Sequence, residues 1–467
     1  MSHDAAVERS AGGRLMQLVA LVVVFVVMFV AARAVPHSEG AAGVITAGGF
    51  LLLAGMLGSE LLGLVGLPHL TGYLIAGAVA GPQALHLVDE EAVNSLSPAT
   101  TLALALIALA GGAELRVDLL KRVLRSLVWS TVMQAGLGIC FTGVAFMVVA
   151  RFLPFTQSIG GSALVGISLL WGVIAVCRSP SATLGIFAQL RPDGPVSRFS
   201  LAFVMTSDVV VAVLLTTAIA LARPLIEPSS VLSLTDFKEL GHEVLGSVAL
   251  GTTLGLALTA YLWLIGSQLL VVLIALGFGL TEGLHYLRFD PLLAFMVAGF
   301  VVANFSEQGD KLLASVNRTG NVVYVVFFAT AGAHLDLVLV RQLWPVALFL
   351  GGVRAAGIFA SHQVAMKLSR DEPVVRRWGW SGLVSQAGLT IGMGLVVERS
   401  FPTFGAGFRS LVIANVALNE LVGPILFKFV LDRIDETGRG LQEKAFHDAH
   451  AKDGAPAPGA GVSSEPA

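Results

Sequence analysis

The sequence predicts an all-α polytopic membrane protein with about 14 transmembrane helices. Three observations predict this class. Hydrophobic residues make up 55% of the 467 positions and charged residues only 13%, and the mean hydropathy is +0.82. Apolar stretches of helical length recur along the whole chain. Lys and Arg residues are concentrated in alternate loops, as expected of a protein with a fixed orientation in its membrane.

The apolar stretches define fourteen predicted spans. In chain order they cover residues 15–34, 43–65, 68–84, 98–113, 126–152, 161–188, 197–222, 241–264, 267–285, 289–305, 319–338, 342–366, 378–398 and 408–431. The first span precedes a sequence that resembles a signal-peptide cleavage site, but its apolar core is long for a signal peptide, so we expect an uncleaved helix. Residues 1–14 are predicted to be an N-terminal tail. Residues 434–467, rich in Ala, Gly and Pro, are predicted to be a disordered tail.

The charge distribution predicts the orientation. With both termini on one side, the tails and loops of that side hold nineteen of the 29 Lys and Arg residues, and the other side holds eight. This bias predicts that both termini are cytoplasmic and that the protein crosses a cell membrane many times. The remaining two, Arg178 and Arg354, lie within predicted spans.

The composition also excludes several classes of function. The net charge of −2 gives no nucleic-acid signature, and the two cysteines lie in apolar spans, where neither a disulfide nor a metal pair is expected. No phosphate-binding loop, metal-ligand cluster or nucleophile triad is recognisable. We therefore expect no enzymatic activity, no cofactor and no bound metal beyond a transported ion.

Two pairs of segments predict an internal repeat. LPHLTGYLIAGAVAGP (67–82) aligns with FDPLLAFMVAGFVVAN (289–304), and LALIALAGGAELRVDLL (104–120) aligns with VVFFATAGAHLDLVLV (325–340), at offsets of 222 and 220 residues. Chance similarity between Gly- and Ala-rich helices is the alternative. A repeat of six helices would relate spans two to seven to spans nine to fourteen, with opposite orientations in the membrane. Inverted repeats of this kind are common in transporters.

Two spans of this repeat carry signals for a broken helix. The sixth span contains AVCRSPSATLGIF, in which Pro180 removes a backbone hydrogen bond. Ser179 and Thr183 are placed to cover the freed carbonyls or to face an ion. A simple proline kink is the alternative.

The thirteenth span is the repeat mate of the sixth. It carries Ser385 and Gln386 near its middle and a glycine-rich run that includes Gly388. Polar breaks at matching places in both halves predict crossing broken helices, whose ends supply dipoles and carbonyl groups to a cation.

Four charged residues lie deep within predicted spans: Asp208, Arg178, Arg354 and Glu420, the last preceded by Asn419. A charge in a bilayer is costly, so such residues are rare and usually functional. The alternative is a set of buried ion pairs that only tie helices together. Arg354 is expected to pair with Asp208 or to brace the core, and Glu420 to neutralise Arg178 or Arg354.

The chain resembles the monovalent cation:proton antiporter superfamily, in the branch with Kef-type and NapA-type exchangers. The resemblance covers most of the chain and is carried, in order, by GLPHLTGYLIAGAVAGP (66–82), LAGGAELRVDLLKR (109–122), SPSATLGIF (179–187) and FFATAGAHLDL (327–337). Asp208, preceded by Ser207, is similar to the family's key carboxylate, and Arg354 matches a basic residue of a later core helix.

The resemblance implies an exchanger domain over residues 15–433. It implies an elevator-like core, about 126–222 and 341–433, that moves against a scaffold, about 15–125 and 223–340, and a homodimer. The sequence departs from the family at Ser207, where a second acid is missing, and at Gln386-Ala387-Gly388, where Arg-Gly-Glu is frequent. Arg178 and Glu420 are also unusual at their positions in this family.

The expected function is exchange of a monovalent cation, Na⁺ or K⁺, for protons. Asp208 would bind either ion, and Thr206, Ser207, Ser179 and Thr183 would complete the cation shell with oxygen ligands. A single carboxylate predicts one cation per proton and electroneutral transport. Two alternatives are a degenerate antiporter that acts as a membrane sensor, favoured by Arg178 beside the break, and a Kef-like channel or organic-ion transporter.

Overall fold

The computed structural model describes residues 41–157, 159–227, 235–265, 289–335 and 337–437, together with scattered positions between 19 and 30 and between 272 and 287. Most of the predicted first and ninth spans, the N-terminal tail and the chain beyond residue 437 lie outside this part. The described residues are mainly helical, and none of these ranges contains a β-strand.

The described part contains sixteen α-helices. They are α1 (Ala41–Leu64), α2 (His69–Ala80), α3 (Glu90–Ser95), α4 (Ser97–Glu114), α5 (Val117–Met133), α6 (Ile139–Ala150), α7 (Gly161–Ala175), α8 (Pro180–Leu190), α9 (Pro195–Ile226), α10 (Thr235–Leu264), α11 (Pro291–Phe305), α12 (Gly309–Ala333), α13 (Leu337–Ser369), α14 (Pro373–Trp378), α15 (Gly388–Ser400) and α16 (Gly405–Arg433). A π-helical turn, Gln134–Gly138, joins α5 to α6. A 3₁₀ segment, Gly379–Leu383, follows α14.

Prolines mark several helix starts, as their fixed φ angle favours. α8, α9 and α11 begin at Pro180, Pro195 and Pro291. Ser179 and Asp290 cap α8 and α11, since their side-chain oxygens accept hydrogen bonds from the first free N–H groups. Charged residues extend some of the observed helices beyond the predicted apolar stretches.

Seven apolar stretches in the described part are long enough to cross a membrane, or eight when the bent helix α9 is included. Three shorter apolar helices, in α2, α11 and the end of α12, accompany them. The protein is therefore a multi-pass helical membrane protein, as the composition predicts. The count of fourteen spans stays a prediction.

The helices pack as two groups. In one group α1, α2 and α4 pack against α10, α11 and α12. In the other, α5 to α9 pack against one another and against α13 to α16. We call them the first and the second helix group. The largest apolar core extends across both groups, a second lies within the second group, and a third cluster joins α1 to the end of α12.

Four glycines set the closest helix contacts of the first group. A Cβ atom on Gly77 would overlap the carbonyl oxygen of Ala329, and one on Gly299 would overlap that of Leu109. The remaining two contacts, by the same criterion, are Gly332 with Leu74 and Gly112 with Met296. Under the repeat offsets of 222 and 220 residues, the contact of Gly77 with Ala329 corresponds to that of Gly299 with Leu109. The contact of Gly332 with Leu74 corresponds in the same way to that of Gly112 with Met296. This reciprocity supports the predicted repeat.

Candidate ion-binding site

Two interrupted helices meet in the second helix group. α7 ends at Ala175 and α8 begins at Pro180, while the 3₁₀ segment ends at Leu383 and α15 begins at Gly388. The extended stretches between them cross, because the Ser179 N–H donates a hydrogen bond to the Ser385 carbonyl oxygen at 3.0 Å. Each interruption leaves helix-terminal N–H and C=O groups inside the protein, where they need partners.

Arg354 supplies the largest set of these partners. Its guanidinium, on α13, is buried and donates to four carbonyl oxygens. The acceptors are Ala175 at 2.6 Å, Cys177 at 2.8 Å, Val384 at 2.5 Å and Leu383 at 3.4 Å. One positive charge therefore faces the C-terminal ends of both interrupted helices, where the helix dipoles favour a cation. Of the two roles expected for Arg354, the geometry corresponds to the brace.

Gln386 forms a second link at the crossing. Its amide nitrogen donates to the Ile174 carbonyl at 3.2 Å. Its amide oxygen accepts from Asn415 at 3.0 Å and from Asn419 at 2.9 Å, both on α16. The network ties the second interruption to α7 and α16. Gln386 and Asn419 thus lie together as part of the supporting structure of the crossing.

Asp208 lies on α9 beside the crossing. Its side chain is only 8% exposed, and neither carboxylate oxygen has a hydrogen-bond partner. Helix α9 bends by 41° between Asp208 and Val210, a feature that the sequence did not predict. An unpaired buried carboxylate is costly unless it binds a proton or a cation. Asp208 is therefore a candidate for ion binding in this structure.

The four hydroxyl groups of the predicted cation shell form hydrogen bonds with the backbone. The Thr206 and Ser207 hydroxyls donate to carbonyls of their own helix, Ala202 at 2.7 Å and Val204 at 2.9 Å. The Ser179 hydroxyl caps α8, and the Thr183 hydroxyl donates to the Ser179 carbonyl at 3.2 Å. Hydroxyl oxygens that donate in this way keep acceptor capacity for a cation. Their role as ligands stays a prediction.

The other two buried charges are not in ion pairs. The Arg178 guanidinium lies over the Phe203 ring, 4.4 Å from its centroid, and its Nε and Nη2 atoms have no hydrogen-bond partner. Glu420 is buried, and its Oε1 atom also lacks a partner. The expected pairing of Glu420 with Arg178 or Arg354 is absent among the described ion pairs, as is a pair between Arg354 and Asp208. Arg354 is neutralised by carbonyl dipoles instead.

A cleft opens beside Asp208, between the two helix groups. It is lined by Asp208 and Ala212 of α9, by residues of α10 and α11, and by Leu389 and Met393 of α15. Two further carboxylates, Glu243 and Asp290, line it. The sequence analysis did not single them out, although both lie near the predicted starts of spans eight and ten. The starts of spans eight and ten lie on the same side of the membrane in the predicted topology. This shared side is the sequence signal from which Glu243 and Asp290 could have been identified.

Comparisons with known proteins find a matching family and similar proteins. Residues 48–434 match a family described as sodium/hydrogen exchanger, transmembrane. The Na(+)/H(+) antiporter 1 of Methanocaldococcus jannaschii is 24% identical over 149 residues, which are 32% of this chain and 33% of that protein. The iron transporter MagA of Paramagnetospirillum magneticum is 23% identical over 312 residues, 65% of this chain and 67% of that protein. The matched region thus spans a third of the first relative's length and two thirds of the second's.

Solved structures share the fold. The sodium proton antiporter MjNhaP1 from Methanocaldococcus jannaschii, determined at pH 8, superposes with a TM-score of 0.58 at 16% identity, covering 83% of this chain and 95% of that one. An electron-microscopy structure of the same antiporter gives a TM-score of 0.65 at 15% identity, covering 85% and 98%. The all-α membrane fold predicted from the sequence is confirmed.

Proposed function

The chain belongs to the sodium/hydrogen exchanger family, and from this premise we propose that it exchanges a monovalent cation, Na⁺ or K⁺, for protons across its membrane. The observation that carries the proposal is Asp208, a carboxylate that is 8% exposed, has no hydrogen-bond partner and lines a cleft. Such a group is stable with a proton or with a cation, so the two ions compete for it.

The competition explains coupled transport. A bare carboxylate is costly to move through a dry barrier, whereas a protonated or cation-bound one is close to neutral. Only the loaded site crosses, and each crossing of a cation in one direction allows a proton to return. Because one carboxylate binds one ion at a time, we propose an electroneutral exchange of one cation per proton.

The packing of the helices supports an elevator-like movement. The second helix group carries the crossing and Asp208, and it corresponds to the proposed core. The first helix group corresponds to the proposed scaffold, and the cleft lies between the two. Arg354 holds both interruptions to α13, so the crossing and Asp208 would move as one rigid unit. A homodimer formed through the scaffold is part of the same proposal.

The position of Arg178 bears on the sensor alternative. A built-in plug would place this cation in the cleft. Arg178 interacts electrostatically with Asp208, but it lies over Phe203 and is not among the residues that line the cleft. This arrangement favours the exchanger over a degenerate antiporter.

The proposal is tested by cation-driven proton flux in proteoliposomes, with Na⁺ and K⁺ added in turn. We expect exchange with the wild type, none with Asp208→Asn, and normal exchange with Asp310→Asn, which changes an exposed acid paired with Arg116. A voltage-sensitive dye should remain silent. Fe²⁺ is added separately, because one relative is named an iron transporter. A folded wild type without Na⁺ or K⁺ exchange would contradict the proposal.

A further inference from the structure

Three carboxylates line the cleft between the two helix groups. Asp208 comes from the second group, whereas Glu243 on α10 and Asp290 at the start of α11 come from the first. The cleft has a cavity volume of about 40 Å³, and its other lining residues are apolar. Any ion in this space meets negative charge from both groups at once.

The three carboxylates differ in burial along the cleft. Glu243 is exposed, Asp290 is half-buried, and Asp208 is buried with both oxygens unpartnered. Asp290 interacts electrostatically with both of the others. The acids therefore form a graded series from the surface to the buried site, and low-dielectric walls between them strengthen their attraction for cations.

Hydrogen bonds position the Asp290 carboxylate and the backbone that carries Glu243. The Ser247 hydroxyl accepts from the Asp290 N–H at 2.8 Å and donates to the Glu243 carbonyl at 2.5 Å. The Asp290 carboxylate accepts from the N–H groups of Leu292 at 2.7 Å and Leu293 at 3.2 Å. Ser247 thus joins the start of α11 to the turn of α10 that carries Glu243.

We propose that Glu243 and Asp290 form an entrance subsite that holds a hydrated monovalent cation and passes it to Asp208. The inference rests on the proposed exchange function and adds two residues to it. In the described part no group of three or more acidic, His or Cys side chains is close enough to share one metal ion. A cation therefore moves from the outer pair to Asp208. Glu243 and Asp290 remain with the first helix group when the core moves.

The subsite is tested with Glu243→Gln and Asp290→Asn. Asn is also a good helix cap, so the second variant keeps the start of α11. Glu91→Gln is the matched control, since it removes an exposed acid on the same predicted side of the membrane but outside the cleft. Flux is measured in vesicles of both orientations.

We expect the KM for a cation added on the cleft side to rise about tenfold in the double variant, with kcat unchanged, because local cation concentration depends on the cleft's charge. The KM from the opposite side and both constants of Glu91→Gln should stay at wild-type values. An unchanged KM on the cleft side, or a fall in kcat alone, would overturn the subsite.

A second readout separates this inference from the exchange function. In detergent, we expect NaCl or KCl to raise the melting temperature of the wild type more than choline chloride does, and the double variant to need about tenfold more salt for half of that rise. A wild-type protein that does not exchange ions contradicts the proposed function. In that case the salt dependence of the melting temperature alone shows whether the subsite binds a cation. Equal salt dependence in the wild type and the double variant would overturn it.

Discussion

At the scale of single residues, two buried arginines of the second helix group have opposite surroundings. Arg354 donates to four backbone carbonyls, whereas Arg178 has two guanidinium nitrogens without a partner and contacts the face of Phe203. Removing one side of a satisfied buried interaction is costly, and removing an unsatisfied charge is not. The two residues should therefore respond in opposite ways to the same substitution.

For Arg354→Met we expect a loss of stability of about 3 kcal/mol, because buried carbonyls at the ends of two interrupted helices lose a charged donor. The measurement is the melting temperature in detergent, with Arg354→Lys as the conservative comparison. Lys keeps the charge but not the branched donor set, and it should recover part of the loss. A melting temperature equal to that of the wild type would contradict the role of Arg354 as a brace.

For Arg178→Met we expect a stability within about 1 kcal/mol of the wild type, or a gain, since a desolvated and incompletely paired charge is replaced by an apolar chain of similar length. The lost contact with Phe203 limits the gain. The same melting experiment checks this, and Arg354→Met is its matched control. A large drop in melting temperature would show that Arg178 has a stabilising partner.

At the scale of elements, the start of α9 is held by the chain that follows α16. The Glu436 carboxylate is buried and accepts hydrogen bonds from the N–H groups of Val196 at 2.9 Å and Ser197 at 2.8 Å. The Glu436 carbonyl accepts from the Asp193 N–H at 3.0 Å. A carboxylate at this place satisfies free N–H groups and complements the positive end of the helix dipole. The helix that carries Asp208 is thus fixed at its start.

For Glu436→Gln we expect a loss of about 1–2 kcal/mol, because the charge at the start of α9 disappears while the side-chain shape is kept. Melting temperature reports the change. Asp432→Asn is the control, since Asp432 lies at the end of α16 and pairs only with the nearby Lys428 among the described ion pairs. If both variants melted at the same temperature, the Glu436 contact would have no measurable effect on stability.

At the scale of the whole molecule, the sequence predicted the membrane class from its apolar pattern and the place of both interruptions from Pro180 and the glycine-rich run at Gly388. It also placed Asp208 and Arg354 in the membrane part. It did not predict the bend at Asp208 or the carboxylates of Glu243 and Asp290 in the same cleft. These depend on how distant helices approach one another, which periodicity within one helix does not encode. For the same reason, balanced charge counts predicted ion pairs for Arg178 and Glu420 that are absent among the described ion pairs.

The predicted repeat makes a last prediction that spans both halves of the first helix group. Gly77 approaches the Ala329 carbonyl as Gly299 approaches that of Leu109, and the predicted repeat offsets relate the two contacts. Gly77→Ala and Gly299→Ala should therefore cost a similar amount, about 1–3 kcal/mol, because each added methyl group forces two backbones apart. In Gly352→Ala the new methyl group meets nothing within 4 Å on α13, and better helix propensity should leave its melting temperature equal or higher. A clear loss in one half of the repeat and none in the other would show that the two contacts are not equivalent, whatever their similarity in sequence.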